Sequence, residues 1–302
     1  MSFLSQEGSK KTFVDTGLLL QPNDPWAVMV EPFAGSAAMG LAFGELYPDR
    51  DLIIGDTNHT VFNALQQVRD NLGETQDWCW RYARCLERQD GAKWLWHRWT
   101  ESRDKPEQFS APQRAALRIH AGPIGSLPAL NARGRKSGFS PTRAGFRDSS
   151  RWVASHADTI AELPRWNAVL QRAEVRLSDY RDTVTTVISS VEKAFWFVDS
   201  PYRYGCKGKV SAADAYYGQP FDVDELGKQC NRINDVGHFA MVTLDWCDEN
   251  AAMFDANWTV MRGRWKSYGG TKSQHLIAIN YTPLLPLEEI AALRGWEIKG
   301  RG

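Results

Sequence analysis

Short apolar runs that end in an acidic residue recur along the chain. Because these runs lack polar alternation, they predict strands that are buried on both faces, as in a parallel sheet. They are residues 26–30 before Glu31, 52–55 before Asp56, 195–198 before Asp199 and 239–244 before Asp245. Ligands bind at the carboxyl ends of strands in open parallel sheets. The pattern therefore predicts a sheet edge with four carboxylates, which suits a cationic, hydroxyl-rich cofactor, although Asp is also a common loop residue.

Other elements of the α/β type flank these strands. A turn of small residues at 34–40 leads into a helix that ends near Tyr47, and residues 175–177 predict a strand before Asp179. Helices are predicted over 183–191 and after Asp222, which has Glu225 in capping-box position. Residues 258–261 and 275–281 predict a closing antiparallel pair.

Residues 64–165 differ from both flanks. They are rich in Trp, Arg and Gln, and several segments have helical spacing, whereas buried-strand signals are scarce. The chain is therefore predicted to contain an α/β unit over 1–63 and 166–302, and a mainly helical insertion over 64–165.

A basic, loop-like stretch lies within this insertion at residues 131–151. It carries six Lys and Arg residues against one acid, Asp148, with Phe139 and Phe146 interleaved. Such a run is usually a solvated face, but in a chain without net charge it favours phosphate contacts.

Bulk composition narrows the class of protein. The 302 residues include 36 Lys and Arg and 36 Asp and Glu, so any affinity for nucleic acid must come from local patches. The five cysteines are scattered without Cys-x-x-Cys spacing, which argues against a zinc site or a disulfide framework. No signal peptide and no apolar run of about 20 residues is found. We therefore expect a soluble, intracellular (cytoplasmic) protein without a membrane or metal partner, compatible with a monomer.

The segment 31–40 (EPFAGSAAMG) joins a strand to a helix through small residues. Such a turn lets a ligand approach the backbone closely. It has neither G-x-G-x-x-G spacing nor the Lys-Ser/Thr of a P-loop, so it favours the amino-acid part of S-adenosyl-L-methionine over a phosphate. Taken alone, a tight structural turn explains it equally well.

Asp56 ends the second strand, where an acid can accept hydrogen bonds from both ribose hydroxyls of a nucleoside. The alternative is that Asp56 caps the following helix. Asn58 lies two residues later and suits either role.

Asp199-Ser200-Pro201-Tyr202 follows the third acidic strand end. An exocyclic amine of a base is a poor nucleophile because its lone pair is delocalised into the ring. Two acceptors for its N–H protons favour the tetrahedral geometry and the charge that develops, and Asp199 and the Ser200 carbonyl are candidates. Pro201 stiffens the turn, and Tyr202 offers a stacking face for a flipped base. A plain strand-ending turn is the alternative.

In order and spacing, the chain resembles the Dam-like, D12-class DNA adenine N6-methyltransferases over nearly its whole length, as a divergent phage or prophage-type member. Ser200 stands where the family has the first proline of D-P-P-Y, Ala37 replaces a customary glycine, and FNVP is absent after the basic stretch. The matching elements are Phe3-Leu4 with Gly8-Ser9-Lys10 (F-L-K-W-x-G-G-K), residues 31–36 (cofactor loop), Asp56 with Asn58 (D-x-N), residues 178–180 (G-D-F), residues 199–202 (D-P-P-Y), Tyr217 with Phe221 (F-x-x-Y and a following Phe), residues 274–281 (E-L-L-I-x-N-Y) and residues 131–139 (R-x-N-x-x-G-x-F-N).

The resemblance implies a class I methyltransferase (Rossmann-like) mixed sheet with a mainly helical target-recognition insertion. It also implies transfer of a methyl group from S-adenosyl-L-methionine to N6 of an adenine flipped out of double-stranded DNA, as in restriction-modification systems, without a metal. The implied cofactor-binding residues are Lys10, Glu31, Phe33, Ala34, Gly35, Ser36, Asp56, Asn58, Asp179 and Tyr180. The implied catalytic residues are Asp199, Ser200, Pro201 and Tyr202. The implied DNA-binding residues are Arg133, Arg135, Lys136, Arg143 and Arg147.

Two alternatives remain open at this point. The same fold can act on another amine, such as cytosine N4 or an RNA base, or transfer a modified group. A catalytically impaired DNA-binding relative is the second, although a binder has no need of an acceptor pair at residues 199–200.

Overall fold

The computed structural model describes Leu4 and residues 13–88, 90–124, 149–200, 221–266 and 272–301. Its strands are β1 (Val28–Glu31), β2 (Asp51–Asp56), β3 (Ala173–Leu177), β4 (Ala194–Asp199), β5 (Phe239–Asp245), β6 (Thr259–Lys266), β7 (Lys272–Ile279) and β8 (Glu297–Arg301). They form one eight-stranded sheet in the order β3-β2-β1-β4-β5-β7-β6-β8. Neighbours from β3 to β5 are parallel, and the remaining pairs are antiparallel. The predicted Rossmann-like mixed sheet is confirmed, including the antiparallel pair β6 and β7.

Helices connect the strands. They are α1 (Val14–Leu19), α2 (Ala38–Leu46), α3 (His59–Asp70), α4 (Leu72–Cys85), α5 (Gly91–Asp104), α6 (Ala111–Ile124), α7 (Ser149–Leu170), α8 (Tyr180–Ser190), α9 (Val223–Asp235), α10 (Asp248–Ala251) and α11 (Leu287–Arg294). The helix predicted after Asp222 is confirmed as α9, and the Asp222 carboxylate accepts a hydrogen bond of 3.0 Å from the Glu225 N–H. The helix predicted over 183–191 begins three residues earlier, at Tyr180.

The sheet is apolar on both faces, which is why its strands read as continuous apolar runs. On one face Met29, Phe195 and Met241 belong to the core that includes residues of α2 and α3. On the other face Trp196 and Val242 pack with residues of α8 and α9. The sheet is therefore packed on both faces, and the turns that connect strands to helices lie at the carboxyl ends of its parallel strands.

The helices α3 to α7 form the part of the chain predicted as an insertion. Leu65, Trp96, Leu117 and Trp166 from these helices belong to the same buried cluster as the sheet residue Phe195. The predicted boundaries at 64 and 165 fall inside α3 and α7. The helices α3 to α7 therefore share one hydrophobic core with the α/β part. The division of the chain into two functional units stays a prediction.

Two further observations concern expectations from composition. Cys247 is disulfide-bonded, which the scattered cysteines did not predict, whereas the other cysteines in the described ranges, Cys79, Cys85 and Cys230, are free. Among the helices of the described residues, none combines the length and apolar character needed to cross a membrane.

Candidate active site

Three of the predicted carboxylates meet at the carboxyl edge of the parallel strands. Glu31 ends β1, Asp56 ends β2 and Asp199 ends β4, and β1 lies between the other two strands. The three carboxylates are close enough to interact electrostatically, because the charges of Asp199 and Asp56 both raise the pKa of Glu31. The edge predicted from the apolar runs is therefore a real cluster of acids.

Glu31 is the most deeply buried of the three, with 2 % of its surface exposed. Its Oε2 accepts a hydrogen bond of 2.8 Å from the Gly40 N–H in the first turn of α2. Burial, above all, raises the pKa of Glu31 to about 8, although the Gly40 bond opposes this shift. A Cβ on residue 40 would lie 2.6 Å from Oε2, so glycine is required for this close approach.

The turn between β1 and α2 is held in an unusual backbone conformation. Gly35 has φ 49° and Ala37, which precedes α2, has φ 51°. A side chain in the left-handed region costs about 1–2 kcal/mol, so Ala37 stores strain at the position where the family customarily has glycine. The Ala34 N–H donates to the Gly55 carbonyl at 2.8 Å, which fastens the turn to the end of β2.

Asp56 binds this turn through its carboxylate. Its Oδ2 accepts from the Gly35 N–H at 2.7 Å, and its Oδ1 accepts from the Asn58 N–H at 2.7 Å. Burial raises the pKa of Asp56, and these two bonds counteract the shift. Asp56 is not the helix N-cap: Asn58 is, and its Oδ1 accepts from the Thr60 N–H at 2.9 Å. The N-cap alternative for Asp56 is therefore wrong, and its role in binding ribose stays a prediction.

Three aromatic rings lie together beside these acids. Phe33 follows β1, Tyr180 begins α8, and Phe221 precedes α9. The ring centroids of Phe33 and Tyr180 are 4.9 Å apart, and Phe221 lies 5.8 Å from the first and 5.9 Å from the second. The cluster is an apolar wall at the ends of β1 and β3, suited to a flat heterocycle.

Asp179 has bonds that the sequence did not predict. It is the N-cap of α8, and its Oδ1 accepts from the Arg181 N–H at 2.8 Å. The Arg181 guanidinium also donates to both carboxylate oxygens, at 2.8 Å and 3.0 Å. These bonds from Arg181 lower the pKa of Asp179. Its predicted contact with the cofactor adenine stays a prediction.

Asp199 is bound by a residue that sequence reasoning missed. The hydroxyl of Thr243, on the neighbouring strand β5, donates a hydrogen bond of 2.7 Å to Asp199 Oδ1. The next residue, Ser200, is 4 % exposed, and its hydroxyl has no hydrogen-bond partner among the residues that the structure describes. A polar residue at 243 within the otherwise apolar run 239–244 was the one available signal.

Asp245, the fourth acid of the predicted edge, ends β5 and lies close to a histidine. Its Oδ1 lies 3.9 Å from Nδ1 of His275, its register partner on β7, and both side chains are largely buried.

Some predicted site residues lie outside the described residues. They are Lys10, Pro201, Tyr202, Tyr217, Arg133, Arg135, Lys136, Arg143 and Arg147. Within the described ranges, no group of three or more His, Cys, Asp or Glu side chains could hold a metal ion.

Comparison with known proteins adds an independent finding. The model of the D12 class N6 adenine-specific DNA methyltransferase family matches residues 7–238, more than half of the chain. No curated protein matches the sequence.

Proposed function

Because the chain belongs to the D12 class N6 adenine-specific DNA methyltransferase family, an enzyme family that methylates DNA with S-adenosyl-L-methionine, we propose that its reaction takes place at the carboxyl ends of β1, β2 and β4. The substrate is the N6 amine of an adenine flipped out of double-stranded DNA. The observation that carries this proposal is the cluster of Glu31, Asp56 and Asp199, in which each carboxylate accepts a hydrogen bond.

The residues at this edge fit the cofactor. The charges of Asp56 and Asp199 disfavour ionisation of the buried Glu31, and a bound sulfonium and ammonium would offset that repulsion. Asp56 would accept the ribose hydroxyls, residues 33–36 and Lys10 would hold the methionine part, and the Phe33–Tyr180–Phe221 wall would flank the adenine ring. The cofactor supplies an electrophilic methyl group on its sulfonium.

The protein's own part in the chemistry lies with residues 199–202. The Asp199 carboxylate and the Ser200 carbonyl would accept hydrogen bonds from the two N–H groups of the target amine, which turns its lone pair towards the methyl group and stabilises the positive charge that develops on nitrogen. The methylated nitrogen would then release one of these protons to water. Asp199 is held by Thr243, so this acceptor is oriented before the base arrives. Pro201 limits the backbone of Ser200, and Tyr202 stacks on the flipped base.

We assign target recognition to residues 64–165. The basic side chains predicted to contact phosphates are Arg133, Arg135, Lys136, Arg143 and Arg147. In Arg133→Ala and Arg147→Ala variants, the slope of log K against log salt concentration should fall by about 1 for each lost phosphate contact. An unchanged slope in both variants would remove this stretch from the DNA interface.

Product analysis tests the reaction. The full chain is incubated with S-adenosyl-L-methionine carrying a labelled methyl group and unmethylated double-stranded DNA, and the DNA is digested to nucleosides. We expect label in N6-methyldeoxyadenosine, abolished by Asp199→Ala and retained in Asp51→Asn, an exposed acid at the opposite end of β2. Label in cytosine or only in RNA would contradict the adenine assignment. No label in the wild type, with salt-dependent DNA binding intact, would identify a DNA-binding relative without turnover.

A further inference from the structure

The hydroxyl of Thr243 stands out as a polar group in an apolar strand. Thr243 is fully buried, and its neighbours Val242 and Leu244 belong to the apolar core of the opposite face. Buried hydroxyls are almost always hydrogen-bonded, and this one donates to Asp199 Oδ1 at 2.7 Å. Thr243 and Asp199 are register partners in the last paired rung of β4 and β5.

We propose that Thr243 is a positioning residue for methyl transfer, which fixes the rotamer of the Asp199 carboxylate for the target amine. This inference rests on the proposed role of Asp199. A carboxylate at a strand end can rotate about its side-chain bonds, and the amine must meet an acceptor at a defined place and angle. By binding Oδ1, the Thr243 hydroxyl sets the direction in which Oδ2 faces.

The sheet makes this orientation rigid. Thr243 is β-branched, so its χ1 angle is restricted, and its backbone is paired with β4 on one side and β7 on the other. The donor therefore cannot follow a swinging carboxylate. Precise support of a reacting group by a residue that does not itself touch substrate is a general requirement of active sites.

Two substitutions separate the hydroxyl from the shape of the side chain. Thr243→Val keeps the branched shape and removes the donor, whereas Thr243→Ser keeps the donor and leaves a methyl-sized cavity. Activity should follow the hydroxyl: kcat falls about tenfold or more in Thr243→Val, consistent with the loss of one hydrogen bond to a charged group, and stays within about threefold of wild type in Thr243→Ser. The KM for DNA and the Kd for S-adenosyl-L-methionine should change little in either variant.

Both variants should lose some stability. The cavity lowers the melting temperature of Thr243→Ser by about 2–4 °C, and the lost hydrogen bond to a charged group lowers that of Thr243→Val. A merely structural role predicts that kcat follows stability. Ile279, 1 % exposed and paired with Met241 away from the carboxyl ends of the strands, supplies the control: Ile279→Val leaves a methyl-sized cavity and should leave kcat unchanged.

The result is decided by comparison with Ile279→Val. Wild-type kcat in Thr243→Val, or a loss of kcat that Ile279→Val reproduces at the same loss of melting temperature, would overturn the positioning role. Asp199→Asn, assayed in parallel, separates this from the proposed function: full activity in Asp199→Asn would remove the catalytic assignment itself, while an inactive Asp199→Asn beside a fully active Thr243→Val would remove only the role of Thr243.

Discussion

The two halves of the strand-end edge hold their carboxylates by different means. On the β1–β2 side, backbone N–H groups bind the acids, from Gly40 to Glu31 and from Gly35 and Asn58 to Asp56. On the β4–β5 side, a side chain binds the acid, from Thr243 to Asp199. Each bond of the first arrangement joins residues at most 21 positions apart, whereas the second joins residues separated by 44 positions.

Because backbone and side-chain donors differ in this way, the two halves require different residue types. Every residue except proline brings a backbone N–H, so the β1–β2 side needs only small residues that let the backbone come close. The β4–β5 side needs one hydroxyl-bearing residue at one register position. We therefore expect the first half to control cofactor affinity and the second to control the rate of transfer, and the following changes test that division.

The largest effect should come from Asp199→Asn. Loss of the charged acceptor should lower kcat on the order of 10²–10³-fold, because the charge on the amine nitrogen is no longer stabilised. The Kd for S-adenosyl-L-methionine, measured by calorimetry, should stay within about threefold of wild type. A comparable loss of cofactor affinity would show that the two halves are not separable.

Asp56→Asn should produce the converse pattern. The amide presents a weaker acceptor to the Gly35 N–H and to the ribose, so cofactor affinity should fall by about 10–100-fold, while kcat at saturating cofactor changes only a few-fold. Asp51→Asn, at the other end of the same strand, is the matched control and should bind the cofactor normally. If both variants bind equally well, Asp56 has no part in the cofactor site.

Two glycines one turn apart in α2 sharpen the comparison. A Cβ on residue 40 would lie 2.6 Å from Glu31 Oε2, and a Cβ on residue 44 would lie 2.6 Å from a methyl group of Val169. Gly40→Ala and Gly44→Ala should both lower the free energy of unfolding by about 1–3 kcal/mol through overpacking. Only Gly40→Ala should weaken cofactor binding, by about tenfold, because it displaces the carboxylate. Equal cofactor affinities in the two variants would contradict a binding role for Glu31.

Glu31 should also make the stability of the cofactor-free protein depend on pH. Burial raises its pKa from 4.5 to about 8, so between these values the folded protein holds a proton that the unfolded chain releases. The contribution of Glu31 to the free energy of unfolding therefore falls as pH rises through this window, by up to about 1.4 kcal/mol per pH unit. Urea denaturation at pH 6 and pH 8 should show that loss in wild type and not in Glu31→Gln, and parallel changes in the two proteins would contradict it.

The smallest effect is expected at Ser200. Its buried hydroxyl has no hydrogen-bond partner in the described part of the chain, and an unsatisfied group of this kind costs about 1–3 kcal/mol. Ser200→Ala keeps the backbone carbonyl and removes the hydroxyl, so the free energy of unfolding should rise by about 1 kcal/mol. A lower stability in this variant would mean that the hydroxyl is satisfied in solution.

The sequence predicted most of the strands that position the candidate site. The buried strands before Glu31, Asp56 and Asp199 are present, shifted by one or two residues, because a run of apolar residues between turn signals is a local property. The turn predicted over 34–40 is present for the same reason but is shorter, because α2 begins at Ala38. Whether Asp56 or Asn58 caps α3 was left open, since both types favour N-caps and only the backbone path between them decides.

Local sequence therefore determined the strands, the order of the acids along the chain and the small-residue turn, since each depends on neighbours within a few positions. Tertiary structure alone decided which groups hold those acids. The pairing of β4 with β5 brought Thr243 to Asp199, and the meeting of three connections gathered Phe33, Tyr180 and Phe221. The physical reason is that hydrogen-bond donors and ring faces act over a few ångströms in space, and strand register, rather than distance along the chain, sets which of them come that close.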